Sequence, residues 1–197
     1  MSKRDKMNIL KDKLVNLKES PLYAERVVNN VLPVMGQGSL KANIVFIGEA
    51  PGKNEAMKGR PFCGVSGKIL DELLLSIGLA REDVYITNIV KDRPTDNRDP
   101  KPEEIDLYAP FLDGEIEIIK PSVLATLGRF STAYIMNRYG LSEQIDTISN
   151  LHGKSFKTKI GKSTCHVVPL YHPAVAVYNR KKLPELKDDF AILKGFL

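Results

Sequence analysis

The chain has 197 residues, enough for one well-cored domain, with 43% hydrophobic and 27% charged residues and a net charge of +5. No apolar run reaches the ~18 residues that span a bilayer, and the basic N-terminus lacks the apolar stretch of a secretory leader, so a cytoplasmic protein without membrane contact is expected. The two cysteines, Cys63 and Cys165, lack metal-ligand spacing and read as reduced, largely buried thiols.

In chain order, residues 3–19 place Met7, Leu10, Leu14 and Leu17 near helical spacing. Residues 1–40 are expected to form a helical extension packed on a single domain that takes in the whole of 1–197. Gly36–Lys41 is a polar turn. Four short apolar runs follow, Asn43–Gly48, Val84–Thr87, Val123–Leu127 and His166–Tyr171. Each is rich in β-branched residues and bounded by turn residues, the mark of strands buried on both faces. Helices are expected at Gly67–Ile77, stopped by Gly78, at Pro102–Ile119, closed by Lys120-Pro121, at Phe130–Tyr139 and at Leu183–Phe196. Residues 147–160 alternate around Gly153 and suggest a hairpin. The order predicts an α/β protein, a three-layer α/β/α sandwich on a central four-stranded parallel sheet.

Parallel strands put their C-terminal ends at one edge, where open α/β sheets bind ligands. Glu49, Asn88 and His172 all fall there. Two basic clusters, Lys91, Arg93, Arg98 and Lys101, then Arg180, Lys181 and Lys182, are placed beside that edge. With a pI of about 9.1, they point to an anionic partner, nucleic acid first. Gly48-Glu49-Ala50-Pro51-Gly52-Lys53 is not a P-loop: its glycines are too close, and Asn54 stands where the magnesium-binding Ser or Thr belongs.

The longer string is more specific. GEAPG (Gly48–Gly52), GRPFCGVSG (Gly59–Gly67), VYITNIV (Val84–Val90), PTDNRDP (Pro94–Pro100), Leu127-Gly128 and His172-Pro173-Ala174 occur in one order. Together they resemble the uracil-DNA glycosylase superfamily, most closely its family 4 enzymes, over residues 17–183. The resemblance implies the α/β/α fold inferred above and a DNA-associated enzyme acting alone, as a monomer, on uracil in single- or double-stranded DNA. It also implies a [4Fe–4S] cluster held by four cysteines. Here those positions are Leu17, Ser20, Asp92 and Tyr108, none a thiolate, so no cluster, metal or other cofactor is expected.

By the same resemblance, Gly48, Glu49 and Ala50 border the uracil. Phe62 stacks on its ring, Asn88 reads the pyrimidine edge, and His172 donates a hydrogen bond to O2 as charge develops there. Glu49 and His172 are the expected catalytic pair, with Glu49 serving the sugar cation or the attacking water. Contacts to DNA fall to Pro51, Gly52, Gly64, Ser66, Lys91, Arg93, Arg98, Gly128, Pro173, Ala174, Val175, Ala176 and Arg180. The segment Pro173–Asn179 offers only Val175, Ala176 and Val177 as a wedge, with Tyr178 beyond, which favours single-stranded or mismatched uracil. His152 and His166 are left as structural or surface residues. Two alternatives stand beside the uracil enzyme: a glycosylase for hypoxanthine or xanthine, and a non-catalytic nucleic-acid-binding relative. A covalent uracil-trapping relative is set aside, because residues 89–107 contain no histidine.

Overall fold

The computed structural model describes residues 1–197. Its elements are α1 (Lys3–Val15), α2 (Pro21–Val28), β1 (Gln37–Gly38), β2 (Ile44–Gly48), α3 (Lys53–Lys58), α4 (Val65–Ser76), β3 (Tyr85–Asn88), α5 (Pro102–Ile119), β4 (Val123–Leu127), α6 (Arg129–Arg138), α7 (Ile148–Leu151), β5 (Phe156–Ile160), β6 (Ser163–Leu170), α8 (Ala174–Tyr178) and α9 (Leu183–Ala191). One six-stranded sheet runs β1-β3-β2-β4-β6-β5. Its four central strands are parallel, as the apolar runs imply; β1 adds an antiparallel edge with no counterpart in the sequence pattern, and β5 forms the other edge, inside the stretch where a hairpin is expected.

Period-two alternation sorts the strand residues into two cores. Val45, Ile47, Tyr85 and Leu124 face one layer, with Leu112 and Ile116 of α5 and Leu14 of α1. Ile44, Phe46, Ile86 and Ala125 face the other, with Leu70, Leu73 and Leu74 of α4 and Leu186 and Phe190 of α9. Both faces are therefore covered, which is what continuous apolar strands require. Helix α5 starts at Pro102 and ends on Lys120 in the left-handed region, φ 56°, as its flanking prolines suggest. No helix is long and apolar enough to cross a membrane.

Three expectations change. The N-terminal helix stops at Val15, and a second one, α2, begins at Ser20-Pro21, with the Ser20 hydroxyl accepting from the Leu22 N–H. The hairpin lies later than read: residues 148–151 form a helical turn, and the reversal is the two-residue Gly161-Lys162 loop, Gly161 at φ 59°, joining β5 to β6. Gly153 turns the chain only to meet β6, its N–H donating to Pro169 O. Cys165 is buried, whereas Cys63 is only partly so.

Candidate active site

Register decides which chain ends meet. Gly48 of β2 pairs with Asn88 of β3, the Gly128 N–H after β4 donates to Leu170 O of β6, and His172 follows two residues later. Ala50, Gly52, Phe62, Ser66, Asn88 and His172 line a cavity of about 180 Å³ at this edge, together with Glu55.

Each wall has a physical reason. A Cβ on Gly48 would sit 2.4 Å from Asn88 Oδ1 and 2.7 Å from the Phe62 ring, so only glycine lets the amide and the ring approach each other. Phe62 adopts φ 48°, a left-handed conformation costly for a bulky residue and the kind of strain found at ligand clamps. Its loop is pinned by Glu55, whose Oε1 accepts from the N–H groups of Cys63 and Gly64, both at 2.9 Å. The Phe62 ring lies 5.7 Å from the His172 ring. Asn88 is almost fully buried, yet its carboxamide makes no hydrogen bond within the protein, so donor and acceptor are free for a ligand.

His172 is fixed in one tautomer. Its Nδ1 accepts from the Ala174 N–H at 3.1 Å, which leaves the proton on Nε2. Burial pushes its pKa down to about 4, against the pull of the Glu55 carboxylate. The ring is therefore neutral at pH 7 and still a donor.

Glu49 stands beside the cavity rather than on its wall. Burial raises its pKa to about 7, helped by the Asp99 carboxylate and opposed by Arg129. Glu55 is the carboxylate that sequence reasoning missed. Its signal was position: it lies three residues past Gly52, in the first turn of α3, where a carboxylate can fold back onto N–H groups.

Among the residues expected to meet DNA, Gly52 and Ser66 line the cavity, and Gly64, Gly128, Arg93, Ala174 and Val175 are partly exposed along the same edge. Arg180 is exposed but bonded to Glu72, and Arg98 is bonded to Glu104. Four are corrected. Lys91 is fully buried in an ion pair with Glu115 and Ala176 is buried against the core, so neither side chain can touch a phosphate. Pro51 and Pro173 are buried too, which leaves no side-chain surface for a phosphate. The exposed end of α8 is Val177 and Tyr178, the latter 90% exposed. His152 bonds to Asp189 and His166 to Ser155, both structural contacts.

The positions where the resemblance implies cluster cysteines do not fit an iron–sulfur cluster. Tyr108 OH donates to Asp92 Oδ2 at 2.6 Å and meets Ser20 Oγ at 2.8 Å. Arg26 Nη1 reaches both Asp92 oxygens at 3.2 Å, and its Nη2 donates to Val15 O at 2.6 Å. The donors are oxygens already bonded to one another, no thiol is present, and no group of three or more His, Cys, Asp or Glu that could hold a metal exists in the protein.

The uracil DNA glycosylase superfamily model matches residues 35–193. The chain is 43% identical over 187 residues to a type-4 uracil-DNA glycosylase of Sulfurisphaera tokodaii, covering 94% of this chain and 82% of that protein. It is 46% identical over 157 residues to one of Archaeoglobus fulgidus, covering 80% and 78%. It is 41% identical over 194 residues to one of Saccharolobus solfataricus, covering 98% and 87%.

Proposed function

The chain belongs to the uracil DNA glycosylase superfamily, and from that premise we propose that it is a monofunctional uracil-DNA glycosylase of DNA repair, which flips uracil out of DNA and hydrolyses its N-glycosidic bond. The observation that carries this reading is the unbonded Asn88 carboxamide facing Phe62 and a neutral His172 across a cavity sized for one small ring. The Asn88 amide donates to uracil O4 and accepts from N3–H, and cytosine, with the reverse pattern, would leave both groups unpaired. Phe62 stacks on the ring. As the bond from C1′ to N1 breaks, its electron pair passes to the base and charge builds on O2, where the His172 Nε2–H stabilises it. Water adds to C1′ and leaves an abasic site.

Glu49, ionised, orients that water or offsets the cation on the sugar. Its folded pKa of about 7 exceeds its ordinary value of 4.5, so the carboxylate forms as pH rises through 7. Excision is expected to rise along that limb, and Glu49→Gln to abolish the limb. A pH profile unchanged in the variant would remove Glu49 from this role. The same shift lowers stability as pH rises from 4.5 to about 7, because the fold favours the neutral acid.

The protein works without an iron–sulfur cluster, as a monomer, and prefers single-stranded or mispaired uracil. The bonded Ser20, Asp92 and Tyr108 support the first point. For the last, Ala176 is unavailable as a wedge, leaving the partly exposed Val175, the small Val177 and the exposed Tyr178. Tyr178→Ala is expected to slow excision from duplex DNA while leaving single-strand excision unchanged. Equal loss on both would assign Tyr178 to general DNA contact.

The deciding experiment incubates the protein with oligonucleotides carrying one uracil, single-stranded or opposite G or A, followed by alkali, with Asn88→Ala alongside. Scission at uracil that is lost in the variant supports the reading. Scission only at hypoxanthine or xanthine would replace the substrate, and binding without scission would make the protein a non-catalytic relative.

A further inference from the structure

Lys91 occupies an unusual place for a lysine. It is fully buried, and its three ammonium protons meet three acceptors: Thr87 Oγ1 at 2.6 Å, Glu115 Oε2 at 2.6 Å and the Asn88 carbonyl oxygen at 2.7 Å. Glu115, equally buried, is saturated in turn. Its Oε2 also accepts from the Thr87 hydroxyl at 2.7 Å, and its Oε1 accepts from the Tyr85 hydroxyl at 3.0 Å and the Gly36 N–H at 2.8 Å. Every member of this cage is satisfied.

Stability alone is a weak reason for such a cage. Removing two charges from water costs about what their attraction returns, and apolar residues of similar volume often do as well or better. The cage does hold one group tied to the cavity, the Asn88 carbonyl. On its open side β3 pairs with β1 only at Tyr85 and Ile86, so no strand covers Asn88 there. The ammonium of Lys91, three residues on, takes the place of the missing strand. On the other side the Ile89 N–H donates to Gly48 O and the Val90 N–H to Glu49 O. The Asn88 backbone is thus fixed from both sides while its carboxamide is left without a partner.

We propose that Lys91, oriented by Glu115, is a positioning residue for base recognition: it locks the Asn88 backbone so that the free carboxamide meets the pyrimidine edge in a single orientation. The inference rests on the reading of this cavity as a base pocket. It gives Lys91 no contact with base or phosphate.

The test is a double-mutant cycle. Lys91→Met with Glu115→Leu removes both charges together, so neither is left buried alone. Single-turnover excision from a single-stranded uracil oligonucleotide is expected to fall about 100-fold, the scale of a small misplacement in a site. Affinity for the same oligonucleotide with thymine in place of uracil should not change. Adding Asn88→Ala to this background should then cost far less than it costs the parent, because the amide has already lost its aim. An undiminished cost of Asn88→Ala, or an unchanged excision rate, would make the cage purely structural and overturn the proposal. Thr87→Val, which removes one of the three acceptors, carries the same cycle should the double variant not fold. The Asn88 side-chain amide resonances give a readout independent of turnover. A sharp pair that shifts with free uracil in the parent, and is broadened and unresponsive in the variant, supports the inference; a pair identical in both overturns it. A parent whose Asn88 resonances respond to uracil but which excises nothing would sink the glycosylase reading, and the resonances would still decide the role of Lys91.

Discussion

Replacing His172 with alanine is expected to slow single-turnover uracil excision by about 10²–10³-fold, the usual cost of losing one donor aimed at a developing oxyanion. The geometry makes the prediction sharp. Ala174 N–H occupies Nδ1, so the only proton on the neutral ring sits on Nε2. A positively charged ring would need a second proton at Nδ1, facing an N–H donor at 3.1 Å, and burial opposes the charge as well. The ring therefore donates as neutral imidazole from neutral pH down to about 4. His172→Gln, which keeps an N–H donor, should recover part of the rate, and binding of undamaged DNA should be unaffected in both variants. A His172→Ala enzyme with near-parental rate would show that stabilisation of O2 comes from elsewhere. The lowered pKa also carries a stability cost in acid. The unfolded chain takes up a proton near pH 6.5, the folded one only near 4, so this contribution is complete above 6.5 and is lost as pH falls towards 4.

The second large effect is expected far from the cavity. Arg26→Met leaves Asp92 buried without its cation, at a cost of about 3–5 kcal/mol, or a fall in Tm of roughly 10 °C for a chain of this size. The reason is connectivity. Arg26 and Ser20 belong to α2 and its cap, Val15 ends α1, Asp92 follows β3, and Tyr108 is on α5, so one bonded set ties four separate segments. The double variant Arg26→Met with Asp92→Leu should cost much less than Arg26→Met alone, since no charge is then stranded. Protein from iron-replete culture should show no iron–sulfur absorption, and a chelator should leave Tm unchanged. Bound iron with a chelator-sensitive Tm would overturn the view that hydrogen bonds hold these segments together.

These two regions mark how far the sequence can be read. The parallel core was legible because four runs of apolar, β-branched residues can be buried on both faces in few other ways. The edge strands were not. Gln37-Gly38 carries no apolar signal, and the alternation of 156–160 resembles that of the residues before it, so the pattern puts the reversal at Gly153 where the fold has it at Gly161. Phe62, Asn88 and His172 were legible through motifs in register. Glu55 was not, because a glutamate in the first turn of a helix has an ordinary solvated reading until the 62–64 loop folds onto it.

Lys91 shows the same divide from the other side. Read alone, the chain shows a lysine four residues past the second apolar run, beside arginines and prolines, and a basic loop at a binding edge is a sound inference from charge. That this lysine turns inward follows from packing, because Glu115 arrives from a helix 24 residues later and gives the ammonium a buried partner. Short-range pattern fixes the strands, the caps and the presence of the reading groups, because propensity and burial act along a few residues. Which charge is exposed, which is paired and which holds another residue in place depends on what the chain brings from far away, and that is set by packing.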